Sequence, residues 1–170
     1  MLQKKVDMPE TKPGAEVLIA DGAFLVNTLT PRAPKTFQEY ACKDMIPKVY
    51  QDCTAHKRTE MVFDVYRKTS LKAEARSKRG KSTRRRVTAK NKTSNKWQGF
   101  IRDSSNPRLF HFLADELAKM ITVNEVFVTK GKDVLTNSSH IDADMNGLAP
   151  CTYEEADARI FQHELHAMKA

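Results

Sequence analysis

Three short apolar runs constrain the fold more than any other feature of the chain. They are Val17-Leu18-Ile19-Ala20, Met61-Val62-Phe63 and Val126-Phe127-Val128. Each is strand-sized, and the first, a continuous apolar run, suits a strand covered on both faces, as in parallel sheets. Between the first two lies a helical pattern over Thr36 to Gln51, with Phe37, Tyr40, Ala41, Met45, Ile46 and Val49 at helix spacing. Thr36 with Glu39 fits a capping box, and Pro47 is expected to shorten or kink the helix. Strand, crossover helix and strand in that order make a parallel βαβ unit. The expected fold class is therefore α/β, a Rossmann-like three-layer fold with a mostly parallel central sheet.

The rest of the chain fills in around this unit. Asp21-Gly22 ends the first run, and Ala23 to Val26 with Leu29 form a helical turn or loop that Pro31 and Pro34 close. His56 to Thr59 reads as a polar link and Glu60 to Asp64 as the second strand. Trp97, Phe100 and Ile101 return to the core. Pro107 introduces a helix over Arg108 to Met120, with Leu109, Phe112, Leu113, Leu117 and Met120 on its apolar side. Glu125 to Thr129 is the third strand, Gly131-Lys132 a turn, and Val134-Leu135 an extension or restart of strand. Asn137 to Pro150 reads as loop, and Thr152 to Lys169 as a last helix with Ala156, Ile160, Phe161, Leu165 and Met168 facing inwards. Residues 1–14 read as a disordered tail and 15–170 as one domain. No apolar stretch approaches the ~18 residues of a membrane span, and the N-terminus has no apolar leader, which points to an intracellular protein, nuclear or cytoplasmic, without a membrane partner. Cys42, Cys53 and Cys151 are an odd number without a CxxC pair and read as free thiols.

The net charge of +8 is concentrated in one place. Between Val65 and Lys96 stand 13 Lys or Arg against one acid, Glu74, and the remaining residues are mildly acidic in sum. A basic segment at 65–96 on an acidic body is the footprint of a polyanion partner, most simply DNA or RNA. A solvated linker or a nuclear-localisation signal gives the same composition. Lys72, Arg76 and Arg79 would share a face of a helix, but no wide apolar stripe accompanies them, so such a helix needs a bound polyanion to order it fully.

The acidic residues fall at informative places. Asp21 and Asp64 each end an apolar run, and ligands of open α/β sheets bind outside the strands' carboxyl ends. Glu154, Glu155 and Asp157 cluster at the start of the last helix. Gathered carboxylates raise one another's pKa and so call for a cation, for which hard oxygen ligands select magnesium or manganese. The alternative is local: Thr152 with Glu155 fits a capping box, and Glu154 and Asp157 suit the positive end of the helix dipole. His163-Glu164-Leu165-His166 is a near miss to the zinc-protease pattern; with Cys151 it could bind zinc, but two partly exposed helix histidines are the plainer reading. A Gly-rich phosphate loop is missing from the sequence, which argues against a nucleotide-dependent kinase or a dinucleotide enzyme.

Together these motifs resemble the PIN-like nuclease superfamily, and within it the flap-endonuclease branch. Val62-Phe63-Asp64, then Leu71-Lys72, then Arg79 resembles the branch's VFDG…LK…R stretch. Glu155-Ala156-Asp157 resembles its EAEA motif, and Asp21-Gly22 its first strand end. The chain also resembles an animal family carrying DGA…LVN, DVY…SLK…R…RG…RRRV and C…EEADTRI, over about residues 16 to 167. The resemblance implies that Asp21, Asp64, Glu155 and Asp157 are catalytic metal ligands for Mg²⁺ or Mn²⁺. It also implies that Lys72 and Arg79 position the scissile phosphate, with Arg76, Arg84, Arg85 and Arg86 on the flanking backbone. Position 65 is Val where the branch has Gly, and one extra residue separates Asp64 from Lys72. The branch follows its EAEA helix with a strand ending in Asp-x-Asp. This chain ends at Ala170, where that strand would begin, so the resemblance reads it as the N-terminal part of a longer domain, a fragment or a degenerate copy with little or no activity of its own. Set beside a metal-dependent nuclease are a non-catalytic nucleic-acid-binding module and a protein-interaction scaffold whose basic tract is a nuclear signal.

Overall fold

The first two apolar runs become β1 (Val17–Asp21) and β2 (Arg58–Val62), paired in parallel with Val17 opposite Arg58 and Asp21 opposite Val62. In this computed structural model, which describes residues 14–33, 35–65, 86–101, 106–137, 147–153 and 156–168, β3 (Glu125–Lys130) lies parallel to β2 on its other side. β4 (Asp133–Thr136) folds back antiparallel on β3, so the sheet order is β1-β2-β3-β4. Gly131 makes the tight turn between them at φ +58°, a left-handed conformation that glycine adopts without a Cβ penalty. The chain is thus α/β with an open, mostly parallel sheet.

The helices are α1 (Gly22–Thr28), α2 (Phe37–Tyr40), α3 (Ile46–Ala55), α4 (Trp97–Ile101), α5 (Asn106–Met120) and α6 (Ala156–Ala167). The capping box is present in both directions, Glu39 N–H donating to Thr36 Oγ1 at 3.1 Å and Thr36 N–H to Glu39 Oε2 at 2.9 Å. That backbone N–H, with Lys43 beside it, holds the Glu39 carboxyl down at about 2. Pro47 does not end the helix. A wide turn over Ala41–Met45 links α2 to α3, with Ile46 N–H reaching back five residues to Ala41 O, and Pro47 falls in the first turn of α3, where a missing N–H costs little. The helical course therefore runs on to Ala55, beyond the expected end at Gln51.

Sequential parallel strands joined by right-handed crossovers place their helices on one face. There Phe37, Tyr40, Met45 and Val49 meet Met61 from β2 and Phe63 just after it, Leu109, Leu113 and Leu117 from α5, and Val126 and Val128 from β3. Trp97 is fixed in this core by its indole N–H, donated to Val26 O at 3.1 Å. Met120, expected on the apolar side of α5, is 48% exposed, and Ile121 is buried. The end of the basic segment also belongs to the body: Phe37 N–H donates to Asn91 O at 2.9 Å and Thr93 N–H to Lys35 O at 2.7 Å, with Thr93 buried. Thr88 to Asn95 is thus a docked strap and not a free loop, because its backbone groups find partners across the 35–38 segment.

The other face is different in kind. α6 lies over β1 and β2 and runs antiparallel to β2, for Ala156 meets Asp64, His163 meets Glu60 and His166 meets Arg58. The inward face of α6 is Ala156, Arg159 and His163, whereas Phe161, Leu165 and Met168 are 59%, 44% and 79% exposed. Of the residues expected to face inwards, Ala156 is buried and Ile160 half-buried, but these three point outwards. Arg58 and Glu60 point from β2 to this face, so the helix must answer with polar side chains. Glu60 carries an ion pair to Arg58 Nε at 2.7 Å and a contact to His163 Nδ1. The Arg58 guanidinium also lies 4.0 Å from the centroid of the Phe127 ring, close enough for a cation–π contact. The same pairing explains why β2 begins at Arg58, inside the segment expected to be a polar link, and why His163 is fully buried where a partly exposed histidine was expected; His166 is partly exposed.

Candidate functional site

At the carboxyl ends of β1 and β2 the chain places Asp21 and Asp64. Asp21 is the last residue of β1 and caps α1, its Oδ1 accepting from Ala23 N–H at 2.8 Å and Phe24 N–H at 3.0 Å. Asp64 follows Val62 by two residues and accepts the N–H of Ala156, the first residue of α6, at 2.9 Å. Strand-end carboxylates from neighbouring parallel strands therefore each hold the start of a helix, one on each face of the sheet. Anionic groups are favoured at such helix starts. β1 is an edge of the described sheet, and α6 crosses back to it over the face opposite the earlier helices. Ligands of open α/β sheets bind outside the carboxyl ends of the strands, the end at which Asp21 and Asp64 stand.

The residues next to the two aspartates are in close contact. Gly22 follows Asp21 and Phe63 precedes Asp64, and a Cβ built on Gly22 would lie 2.4 Å from Phe63 Cε1. Phe63 cannot withdraw: it is buried, stacks on Phe110 at 4.8 Å between centroids, and its N–H is bonded to Thr129 Oγ1 at 2.7 Å. Gly22→Ala is expected to cost about 1–3 kcal/mol as an overpacked contact and to separate the two strand ends. Gly99→Ala is the control, since a Cβ there meets nothing closer than 4.0 Å. Equal midpoints for the two variants in urea unfolding would contradict the argument.

Asp157, in the first turn of α6, is exposed. Glu155 lies outside the described residues, as do Glu154, Lys72, Arg76, Arg79, Arg84 and Arg85; Arg86 is described and exposed. Among the described residues no group of three or more His, Cys, Asp or Glu side chains could hold a metal ion, so Asp21, Asp64 and Asp157 do not by themselves close a metal shell. Two carboxylates completed by water and substrate phosphate are nevertheless a common way of holding Mg²⁺. Asp21 suits that use, because both its cap bonds fall on Oδ1 and leave Oδ2 outside them. No family model, curated protein or solved structure matches this chain.

Among the described residues, His163, His166 and Cys151 do not form a group that could hold a metal ion; His163 Nδ1 meets Glu60 and His166 Nδ1 meets Arg58 Nη2 at 3.1 Å. Sequence reasoning passed over Arg159. It is fully buried and donates to Gly131 O at 2.5 Å and Asp133 O at 3.1 Å, tying α6 to the β3–β4 turn. Burial lowers its pKa, with Cys151 and Asp133 opposing that shift. The missed signal was a lone arginine within an otherwise acidic helix start.

Proposed function

We propose that this chain is a PIN-like, nuclease-like domain that binds DNA or RNA and holds Mg²⁺ or Mn²⁺ at the strand ends. Asp21 and Asp64 are the principal ligands, and Glu155 and Asp157 contribute from the start of α6. The observation that supports this reading best is the placement of Asp21 and Asp64 at the ends of adjacent parallel strands, with the Gly22–Phe63 contact between them. A divalent ion bound there supplies an activated water and stabilises charge on the leaving oxygen. The chain's own part is to hold the strand: Lys72 and Arg79 at the reacting phosphate, Arg76 and Arg84 to Arg86 along the flanking backbone.

A second reading is a nucleic-acid-binding module without catalysis. It is favoured by the cap bonds, which give both aspartates a structural role independent of metal. Cleavage of a labelled flap and a plain single strand with Mn²⁺ separates the two. Cleavage lost in Asp64→Asn supports the nuclease, since Asn preserves the cap; binding without cleavage supports the module.

Both readings share a salt dependence. Each phosphate neutralised contributes roughly 0.7–0.9 to the log–log slope of affinity against salt, so five or six contacts give a slope on the order of −4 to −5. Replacing Arg84, Arg85 and Arg86 by Ala is expected to flatten it by about two to three units. An unchanged slope in fluorescence anisotropy places the contact elsewhere and leaves the tract as linker or targeting signal.

A further inference from the structure

At the opposite end of α1 from Asp21, the loop Thr30–Ala33 and the segment Thr93–Gly99 enclose an open cavity of about 460 Å³. That volume lies within the range of small-ligand pockets. Arg32 and Lys96 bring two cations to its lining, and none of its eleven lining residues is acidic. Neither cation is engaged in an ion pair among the described residues, whereas nearby Lys35 is spent on Asp44 at 2.6 Å. Thr30, Ser94, Asn95 and Gln98 add hydroxyl and carboxamide groups.

The cavity lies beside a fastened junction of two segments. Its two walls are distant in sequence but are fastened beside it by Thr93 N–H and Thr93 Oγ1, both donated to Lys35 O, at 2.7 and 3.0 Å. Thr36 and Lys92 form an antiparallel bridge next to these bonds. Ser94 Oγ accepts the N–H of Lys96 at 3.2 Å and folds the segment at the lysine. The buried Trp97 indole, bonded to Val26 O, fixes the inner end. Two cations with hydrogen-bonding side chains between them, and no carboxylate among the described lining residues, match a phosphate group.

We propose that this cavity binds a phosphate ester, either a phosphate of a nucleic-acid backbone or a free nucleotide. The site stands on its own residues and does not depend on a metal at Asp21 and Asp64.

The test is amide NMR of the full chain at constant ionic strength, titrated with inorganic phosphate, thymidine monophosphate and a short oligothymidylate. Saturable shifts at Ser94, Asn95, Lys96 and Gln98 are expected with the phosphate probes and not with chloride. They should be lost in Arg32→Glu/Lys96→Glu, whose exposed positions leave the fold intact, as the unchanged remainder of the spectrum will show. Saturation by the oligonucleotide at lower concentration than by the mononucleotide identifies a backbone subsite; the reverse order identifies a nucleotide site. The proposal is overturned if no probe gives saturable shifts at these amides, or if the shifts survive charge reversal. Loss of nucleic-acid cleavage without loss of these shifts would count only against the nuclease reading.

Discussion

Glu60→Ala is expected to destabilise the fold by about 3–5 kcal/mol, the cost of removing one partner from a buried ion pair and leaving the other charged and unpaired. Glu60 is fully buried, between Arg58 on its own strand and His163 on α6. Its loss leaves a buried guanidinium whose remaining contacts are the Phe127 ring and His166. A cost of this size takes a large part of the roughly 5–15 kcal/mol that stabilises a domain. Urea unfolding measures it directly. Replacing the set together, as Arg58→Met/Glu60→Leu/His163→Leu, is expected to be neutral or stabilising, since apolar residues of similar volume avoid the desolvation cost. Equal destabilisation by the single and triple variants would show that shape, and not charge pairing, holds α6 on the sheet.

Arg159→Met is the second large effect, expected at about 2–4 kcal/mol, because charge-assisted hydrogen bonds from a buried guanidinium to carbonyl oxygens are lost together. The consequence is local as well as global. Arg159 holds the carbonyls of Gly131 and Asp133, while Cys151 N–H donates to Lys132 O at 2.8 Å on the same turn. Hydrogen exchange at Cys151 should therefore accelerate in the variant under native conditions, with amides in β2 unchanged. Arg159→Lys keeps the charge but not the planar fork, and should recover little of the loss. Full recovery by lysine would mean that position 159 needs only a positive charge.

Both effects fall where hydrophobic periodicity was misleading. The strand cores, the Thr36–Glu39 capping box and the turn at Gly131 were legible because each rests on local chemistry: apolar runs, a hydroxyl–carboxylate spacing, a residue without a Cβ. The orientation of α6 was not. Spacing pointed Phe161, Leu165 and Met168 inwards, yet the structure turns Arg159 and His163 in. The facing side chains, Arg58 and Glu60, are about a hundred residues away, and nothing local to the helix announces them. The exposed Phe161, Leu165 and Met168 are the outward side of that exchange. At the candidate site, the strand-end positions of Asp21 and Asp64 could be read from the ends of the apolar runs. The close contact of Gly22 with Phe63 could not, because it depends on where the Phe63 ring packs.

The central claim is that Asp21 and Asp64 together bind a divalent cation, and Mn²⁺ binding followed by electron paramagnetic resonance tests it most directly. The variant to compare is Asp21→Asn/Asp64→Asn, in which Asn keeps both helix caps and removes both charges. Saturable Mn²⁺ binding by the native chain, competed by Mg²⁺ and lost in the double variant at unchanged thermal midpoint, is the expected result. Binding that persists undiminished in the double variant, or no saturable binding by the native chain, would contradict the account and leave the two aspartates as helix caps alone.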